Sequence, residues 1–222
     1  MECIEAIKLR KSIRGYKMTP VPKEVLTQIL EVAARAPSAT NIQPWKFTVL
    51  GGEVLGELKE ALQKQFLEGI APCSDFGPFL SFGGVYRDRQ VAVGKSLFQL
   101  MDIAREDKGK RTEWMLKMIR FFDAPNAIIV SIDGEINGFP SIFSLGTVSQ
   151  TIALAALDFG LGTCMEQGPV IYPDVIRRVV GIPDAQKIAI AIAIGYPDWE
   201  FPANKLQSTR EPLSNITVWH GI

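Results

Sequence analysis

Hydrophobic residues along the chain follow two spacings, one typical of helices and one typical of strands. Residues 21–36 carry apolar side chains every three or four positions, which predicts a helix that Pro37 ends because proline cannot continue the hydrogen-bond ladder. Helical spacing is also found in 53–68, 88–107, 110–122, 144–162 and 173–182, whereas 45–51 and 124–133 favour strands. Helices with a few strands among them predict an α+β fold or a three-layer α/β arrangement.

The segment 188–195, IAIAIAIG, has the clearest strand pattern. Its Ile residues occupy the even positions and its Ala residues the odd ones, so a period of two places all Ile side chains on one face. Because both faces are apolar, we expect both to be covered, and the small Ala side chains would let a helix approach closely. The tail 215–220, NITVWH, is expected to form an edge strand.

The composition of the 222 residues narrows the classes of function. The 24 Lys and Arg balance the 24 Asp and Glu, and a net charge of zero argues against a general nucleic-acid binder. A single His, His220, excludes a multi-His zinc site and would place a Ser-His-Asp triad at the end of the sequence. The length fits one domain over residues 1–222.

Neither an export signal nor a membrane span is predicted. Glu2 and Glu5 interrupt the first residues, and the longest apolar run, 188–195, is far shorter than the roughly 20 residues of a spanning helix. The three Cys have no metal-binding spacing, and an odd, sparse set is typical of a reducing compartment. We therefore expect a soluble cytoplasmic protein.

Five cations lie within ten residues near the N-terminus. They are Lys8, Arg10, Lys11, Arg14 and Lys17, with Ser12 among them. Such a run is typical of a solvated helix face, but also of a phosphate site, because Arg presents a planar donor fork and Ser a hydroxyl. A phosphate would need a second anchor, and Arg210 with Ser208 beside it is the candidate, although an Arg in a polar loop is by itself typical of surface.

Two further segments combine turn residues with hydrogen-bonding groups. Residues 36–45, APSATNIQPW, favour a turn, and Asn41 with nearby backbone groups would also suit a planar polar ligand. Residues 160–170, GLGTCMEQGPV, suit a helix end or a loop whose backbone amides face a ligand. Met165 breaks the dinucleotide-binding glycine spacing. Cys164 is expected to be buried and inert, and no metal site is predicted.

Taken in order, these three segments resemble the FMN-dependent nitroreductase family. Arg10-Lys11-Ser12-Ile13-Arg14 is similar to its basic-basic-Ser-x-Arg run, and residues 36–45 to its APS-x-x-N-x-QPW motif. Residues 160–168 are similar to its late GLG element, and Arg210-Glu211-Pro212-Leu213 to its terminal Arg-x-Pro-Leu. The likeness extends over residues 3–222, and the segments 86–90, 105–111 and 121–125 resemble the branch that includes nitrobenzoate reductases.

The resemblance implies roles for the basic residues. The FMN phosphate and ribityl chain would be held by Arg10, Lys11, Ser12 and Arg210. Arg14 would lie near the pyrimidine end of the flavin ring, where a fixed cation raises the flavin's potential because reduction places negative charge there. Ser208 stands where relatives carry a second basic residue, which would weaken the grip on the phosphate.

The resemblance also implies contacts from the other two segments. The flavin would be reached from the partner subunit by Pro37, Ser38, Ala39 and Asn41. The backbone amides of Gln167 and Gly168 would address flavin N5 and O4, with Glu166 as the alternative if the register differs by one residue.

The implied fold is α+β, with three α/β/α layers around a central mixed sheet and a C-terminal segment exchanged within a homodimer. Residues 215–220 would suit that exchange, and helix 144–159 would suit the interface core. The implied activity is a ping-pong NAD(P)H oxidoreductase that reduces nitroaromatic or quinone-type acceptors. Hydride transfer through flavin N5 requires no catalytic side chain.

An aromatic segment is a candidate lid over the acceptor, or equally a loop anchored by core side chains. Its members are Phe76, Phe79, Phe82 and Tyr86. The fold alone leaves three other functions open, namely a reductive dehalogenase, a flavin-fragmenting enzyme and a non-enzymatic flavin-binding protein.

Overall fold

A four-stranded antiparallel sheet forms the centre of the structure, a computed structural model that describes residues 1–78 and 81–222. Its strands are β1 (Trp45–Gly51), β2 (Asn126–Asp133), β3 (Gly162–Glu166) and β4 (Gln186–Gly195). They lie in the order β1-β2-β4-β3, and every neighbouring pair is antiparallel. The expected mixed sheet is therefore corrected, because the segment after α1 meets β3 in parallel only at an isolated bridge between Ser12 and Thr163.

Helices cover both faces of this sheet. They are α1 (Cys3–Leu9), α2 (Lys23–Ala33), α3 (Gly52–Leu67), α4 (Gly84–Leu100), α5 (Lys108–Ile119), α6 (Phe139–Asp158) and α7 (Pro173–Val180). One apolar core lies between the sheet and α2 with α6, and a second lies between the sheet and α3, α5 and α7. This confirms the three-layer α+β arrangement.

The alternation along β4 is interrupted once. Ile192 and Ile194 face α2 and α6, while Ala191 and Ala193 face the opposite core, as predicted. Ile188, however, lies in the core of the Ala residues, because the pairing with β2 skips one residue of β4 between Val130 and Ser131. Such a bulge reverses which face the following side chains occupy, so the expectation for Ile188 was wrong.

Several predicted boundaries shift in the structure. The apolar helix α6 begins at Phe139 rather than at residue 144, with Pro140 in its first turn, where a missing amide costs nothing. Helix α7 ends at Gly181, whose φ of 78° is the left-handed conformation that glycine adopts readily. Strand β3 lies in the segment expected to be a loop, and residues 215–220 form no strand within this chain.

By length and composition, α6 is the one helix of the described residues that reaches the threshold for crossing a membrane. One side of it is packed on the sheet, with Val148 and Ile152 completely buried against the strands. A core helix meets the same threshold, and the packing identifies α6 as such a helix.

Candidate active site

A cavity of about 850 Å³ brings the N-terminal cations together with the C-terminal segment. Its wall includes the predicted residues Arg10, Lys11, Ser208 and Arg210. The floor is formed by Gly160, Leu161 and Gly162 at the start of β3, with Pro197 and Trp199 beside them. Residues about 200 positions apart in sequence thus face the same space. Four of the side chains that line it carry positive charge, namely Lys8, Arg10, Lys11 and Arg210.

The side chain of Lys11 is fixed within this wall. Its Nζ donates a hydrogen bond of 2.6 Å to the backbone oxygen of Asn204 and lies 5.3 Å from the centre of the Trp199 ring. The guanidinium of Arg210 instead bonds its own loop, donating to the oxygen and the hydroxyl of Ser208 at 3.2 and 2.8 Å. Arg210 is exposed, so its charge is available at the mouth of the cavity.

Asn204, which the sequence did not single out, ties the two halves of the wall together. Its buried amide accepts a hydrogen bond from the backbone N–H of Arg14 at 2.7 Å and donates to the oxygens of Gly15 and Asp198 at 2.8 and 2.7 Å. A buried amide that uses three of its hydrogen-bonding positions fixes the backbone around it. Nothing in its local sequence, FPANK, marks this role, which depends on a contact across 190 positions.

The N-terminal segment also packs tightly on β3. A Cβ added at Gly162 would collide with the side chain of Ile13, and one at Gly15 would collide with Phe201. Both glycines therefore permit a close approach of backbone that other residues would prevent. This packing carries Ser12 and Arg14 onto the face of β3 occupied by Cys164 and Glu166.

Glu166 lies at the end of β3 with both carboxyl oxygens buried and without a hydrogen-bond partner among the described residues. Burial raises its pKa well above the ordinary range, and the charge of Arg14 offsets this only in part. A buried carboxyl without a partner favours the neutral, protonated form, which can donate a hydrogen bond.

Cys164 is buried two residues before Glu166. Burial, and then the charge of Glu166, raises the pKa of its thiol to about 12, so the thiolate needed for nucleophilic chemistry is disfavoured. The prediction that Cys164 is buried is therefore confirmed, and the raised pKa agrees with the expectation that it is inert.

The loop after β3 is placed apart from the cavity wall. Gln167 is exposed, and Gly168 lies against Met118 so closely that an added Cβ would stand 3.0 Å from the Met118 methyl carbon. A side chain at position 168 would therefore require the Met118 side chain to move.

The motif at residues 36–45 lies on α6, away from the residues that line the cavity. Ala39 N–H donates to the Ser144 hydroxyl at 3.3 Å, and the Thr147 hydroxyl donates to the Pro37 oxygen at 2.8 Å. Thr40, Asn41 and Gln43 have left-handed φ values of 46°, 59° and 45°. Pro37 and Asn41 are exposed, and Ser38 and Ala39 are half-buried. Within one chain, these predicted residues do not meet Arg10 and Arg210 around the cavity.

The candidate lid is exposed where the structure describes it. Phe76, Phe82 and Tyr86 all present their rings to solvent, whereas Phe79 lies outside the described residues. The alternative, a loop anchored by core aromatics, therefore does not hold for those three. An ion pair of 2.6 Å between Asp75 and the half-buried Arg177 holds the base of the segment.

The fold and the cavity fit one family, and the sequence comparison identifies it. A model of the Nitroreductase family matches residues 7–196, so the chain belongs to this family. The chain is similar to 4-nitrobenzoate reductase of Pseudomonas putida, with 30% identity over 217 residues that cover 96% of this chain and 92% of the relative.

Solved structures show the same likeness. The FMN and NADPH-dependent nitroreductase NfnB from Sphigopyxis sp. strain HMH superposes with a TM-score of 0.95 at 28% identity, with both chains covered completely. NfnB from Mycobacterium smegmatis, in complex with NADPH, gives a TM-score of 0.93 at 27% identity, with 98% of each chain covered.

Proposed function

We propose that this protein is an FMN-dependent NAD(P)H oxidoreductase that reduces nitroaromatic or quinone-type acceptors, with residues 1–222 acting as one FMN-binding domain. The observation that carries the proposal is the cavity in which Arg10, Lys11 and Arg210 converge on a glycine-lined floor. Fixed cations beside close-packed backbone suit a phosphate-bearing, planar ligand.

The described residues fit FMN in two respects. The cavity volume of about 850 Å³ is within the range of cofactor pockets, and its wall carries the charge that a phosphate requires. FMN, when bound, supplies the two-electron chemistry that links NAD(P)H to the acceptor.

The side chains of this protein bind FMN and hold it in position. Lys11 and Arg10 hold the phosphate from the N-terminal side, and Arg210 with the Ser208 hydroxyl holds it from the C-terminal side. Ser12, whose backbone is bridged to Thr163, follows Lys11 directly, and its hydroxyl would be a further contact to the phosphate or ribityl chain. Because the Lys11 amine and the Arg14 backbone are both tied to Asn204, phosphate binding and the placement of Arg14 depend on one buried residue.

Arg14 would supply the positive charge at the pyrimidine end of the flavin ring. The backbone amides of Gln167 and Gly168 would donate hydrogen bonds to flavin N5 and O4, with Glu166 as the alternative if the register differs by one residue. Glu166 in its neutral form does not cancel the charge of Arg14, so the cation stabilises negative charge that develops on the ligand.

The acceptor class rests on the relatives. Proteins named 4-nitrobenzoate reductase and nitroreductase NfnB match nearly the whole chain. Phe76, Phe79, Phe82 and Tyr86 remain our candidates for the side of the site where an electron-poor aromatic ring would stack.

The complete site requires a homodimer. Pro37, Ser38, Ala39 and Asn41 lie on α6 rather than in the cavity wall, so they would reach the flavin of a second copy. Large apolar side chains are exposed where such a copy would bind: Ile4, Ile7 and Leu9 on α1, Phe139 and Phe143 on α6, and Val218 and Trp219 in the tail. Exposed apolar surface of this extent is typical of an interface. The three free Cys suit the cytoplasm.

The test begins with the purified protein and its visible spectrum. Bound or added FMN should give the flavin absorption, NADH or NADPH should bleach it, and 4-nitrobenzoate or a quinone should restore it. Arg210→Gln should raise the Kd of FMN about tenfold or more, because a charge-assisted hydrogen bond is lost, while Lys205→Gln outside the cavity should not. A colourless protein that binds no added FMN would refute the proposal, and a particle of the 24.5 kDa monomer mass would refute the dimer.

A further inference from the structure

Three successive residues between α5 and β2 adopt a conformation that their side chains disfavour. Phe121, Phe122 and Asp123 have φ values of 58°, 49° and 57°. Bulky residues rarely enter the left-handed region, and three in succession without glycine require support from surrounding structure. We call these residues the aromatic turn.

The carboxylate of Asp123 fixes the aromatic turn through hydrogen bonds. It accepts hydrogen bonds from Lys117 Nζ at 2.6 Å and Arg120 Nε at 2.9 Å. Arg120 Nη1 in turn donates to Gln63 of α3 at 2.6 Å, and Lys59 Nζ donates to the oxygen of Ala124 at 2.7 Å. The turn is therefore fixed to two helices by charged groups.

This backbone conformation determines where the ring of Phe122 lies. Phe122 is buried, packs against Trp114 at a centroid distance of 5.5 Å, and lies 5.9 Å from the guanidinium carbon of Arg14. A guanidinium within about 6 Å of an aromatic ring is attracted to it by the ring quadrupole. The unusual backbone thus places an aromatic face against the cation of the proposed flavin site.

As partners of Arg14, an aromatic ring and a carboxylate differ in their effect on its charge. In the described residues, Arg14 forms no salt bridge, and its guanidinium makes one long hydrogen bond, of 3.4 Å, to the oxygen of Ser12. A carboxylate would orient Arg14 but also neutralise it, whereas a ring orients it and leaves its charge available to a ligand.

We propose that Phe122 is a positioning residue for Arg14, and that the aromatic turn holds its ring where it directs the guanidinium toward the bound flavin. The inference rests on the proposed function, because it assigns Arg14 to the pyrimidine end of the ring. The charge of Arg14 stabilises the reduced, more negative flavin over the oxidised one, so its orientation sets the ratio of their affinities.

The test compares Phe122→Leu with Phe121→Leu, a matched change at the neighbouring left-handed residue. In Phe122→Leu, the ratio of the Kd of reduced FMN to that of oxidised FMN should rise about two- to fivefold, as expected for the loss of a cation–π contact. In Phe121→Leu the ratio should stay at the wild-type value, although both variants lose stability. Adding Phe122→Leu to Arg14→Gln should have no further effect on the ratio.

A second measurement needs no flavin. In the NMR spectrum of the FMN-free protein, the Arg14 Nε–H should be shifted by the ring current of Phe122, which Arg14→Gln identifies by its disappearance. Phe122→Leu should return that resonance to the position of a free Arg, and Phe121→Leu should not.

The outcomes separate the two proposals. Wild-type protein that binds no FMN would refute the proposed function, and with it the role of Phe122. Wild-type protein that binds FMN, together with an unchanged affinity ratio in Phe122→Leu or an equal change in Phe121→Leu, would refute the positioning role alone.

Discussion

Among the described residues, two segments hold several non-glycine residues each in the left-handed region, whereas Asp102 is a single case, and the two segments are supported in different ways. The two Phe side chains of the aromatic turn are buried, and its half-buried Asp123 is held by Lys117 and Arg120 of the same chain. The other segment, residues 40–43, which we call the polar turn, is exposed. Its local support consists of hydrogen bonds such as that from Gln43 N–H to the Ser38 hydroxyl at 3.0 Å.

The difference shows whether the contacts that support each turn come from the same chain or from outside it. A left-handed residue other than glycine costs roughly 1–2 kcal/mol, which surrounding contacts must offset. The aromatic turn finds those contacts within its own chain, so the chain alone determines it. The polar turn lacks a buried side chain in its centre, and the partner subunit and the flavin are the contacts we propose for it.

The largest expected effect comes from removing the core of the aromatic turn. Phe121→Ala should lower the free energy of unfolding by about 3–5 kcal/mol, because Phe121 is completely buried and the substitution leaves a cavity. Ile42→Ala, in the exposed polar turn, should change it by no more than about 0.5 kcal/mol. Urea denaturation of both variants measures the difference, and equal losses would show that the two turns are supported alike.

A smaller effect should follow from the carboxylate beneath the aromatic turn. Burial by itself raises the pKa of Asp123, but the hydrogen bonds from Arg120 and Lys117 outweigh it and the pKa is lowered. Asp123→Asn should therefore cost about 1 kcal/mol at pH 7, a value that solvent screening keeps small.

The pH dependence of that cost distinguishes charge from packing. An acid with a lowered pKa in the folded state stabilises the protein fully above its ordinary pKa of about 4, and loses this contribution as the pH falls through the lower folded value. The stability difference between wild type and Asp123→Asn should close over that range. A difference that persists at lower pH would mean that Asp123 acts by shape alone.

The aromatic turn also marks the limit of what the sequence predicts. In FFDAP only Asp123 is of a type that tolerates left-handed φ, so the local sequence does not indicate three such residues in succession. Their conformation follows from packing Phe121 in the core beside the Ala face of β4 and from charges on α3 and α5. The role of Asn204 and the bulge in β4 were not predicted for the same reason, because each depends on contacts between segments distant in sequence.

The features that the sequence did predict depend on the chemistry of short segments. The cations of residues 8–17 and Arg210 were expected to share a site because both suit a phosphate, and the cavity wall contains Arg10, Lys11 and Arg210. The alternation in 188–195 gave a two-sided central strand and hence three layers. Strand β3 was not predicted, because its five residues lie among the glycines and turn residues of 160–170.

Removing one side chain of the polar turn should affect the ligand rather than the fold. Asn41→Gly keeps the left-handed backbone but deletes the amide proposed to reach the flavin of the partner. We expect the Kd of FMN to rise about three- to tenfold, the effect of one lost hydrogen bond. The unfolding free energy of the FMN-free protein should not change. Thr40→Gly is the matched control, and an equal loss of affinity there would assign the effect to backbone flexibility instead of the Asn41 amide.

The smallest expected effect tests the backbone of the polar turn directly. Thr40 has a φ of 46°, which a β-branched residue adopts at a cost that glycine does not share. After the greater freedom that glycine gives the unfolded chain is subtracted, Thr40→Gly should raise the free energy of unfolding by roughly 0.5 kcal/mol. Ala39→Gly, one residue earlier and without a positive φ, should lower it by a similar amount. Thermal or urea unfolding of the FMN-free variants measures both. If Thr40→Gly destabilises as much as Ala39→Gly, the left-handed conformation at Thr40 is already supported within one chain, and the contrast between the two turns fails.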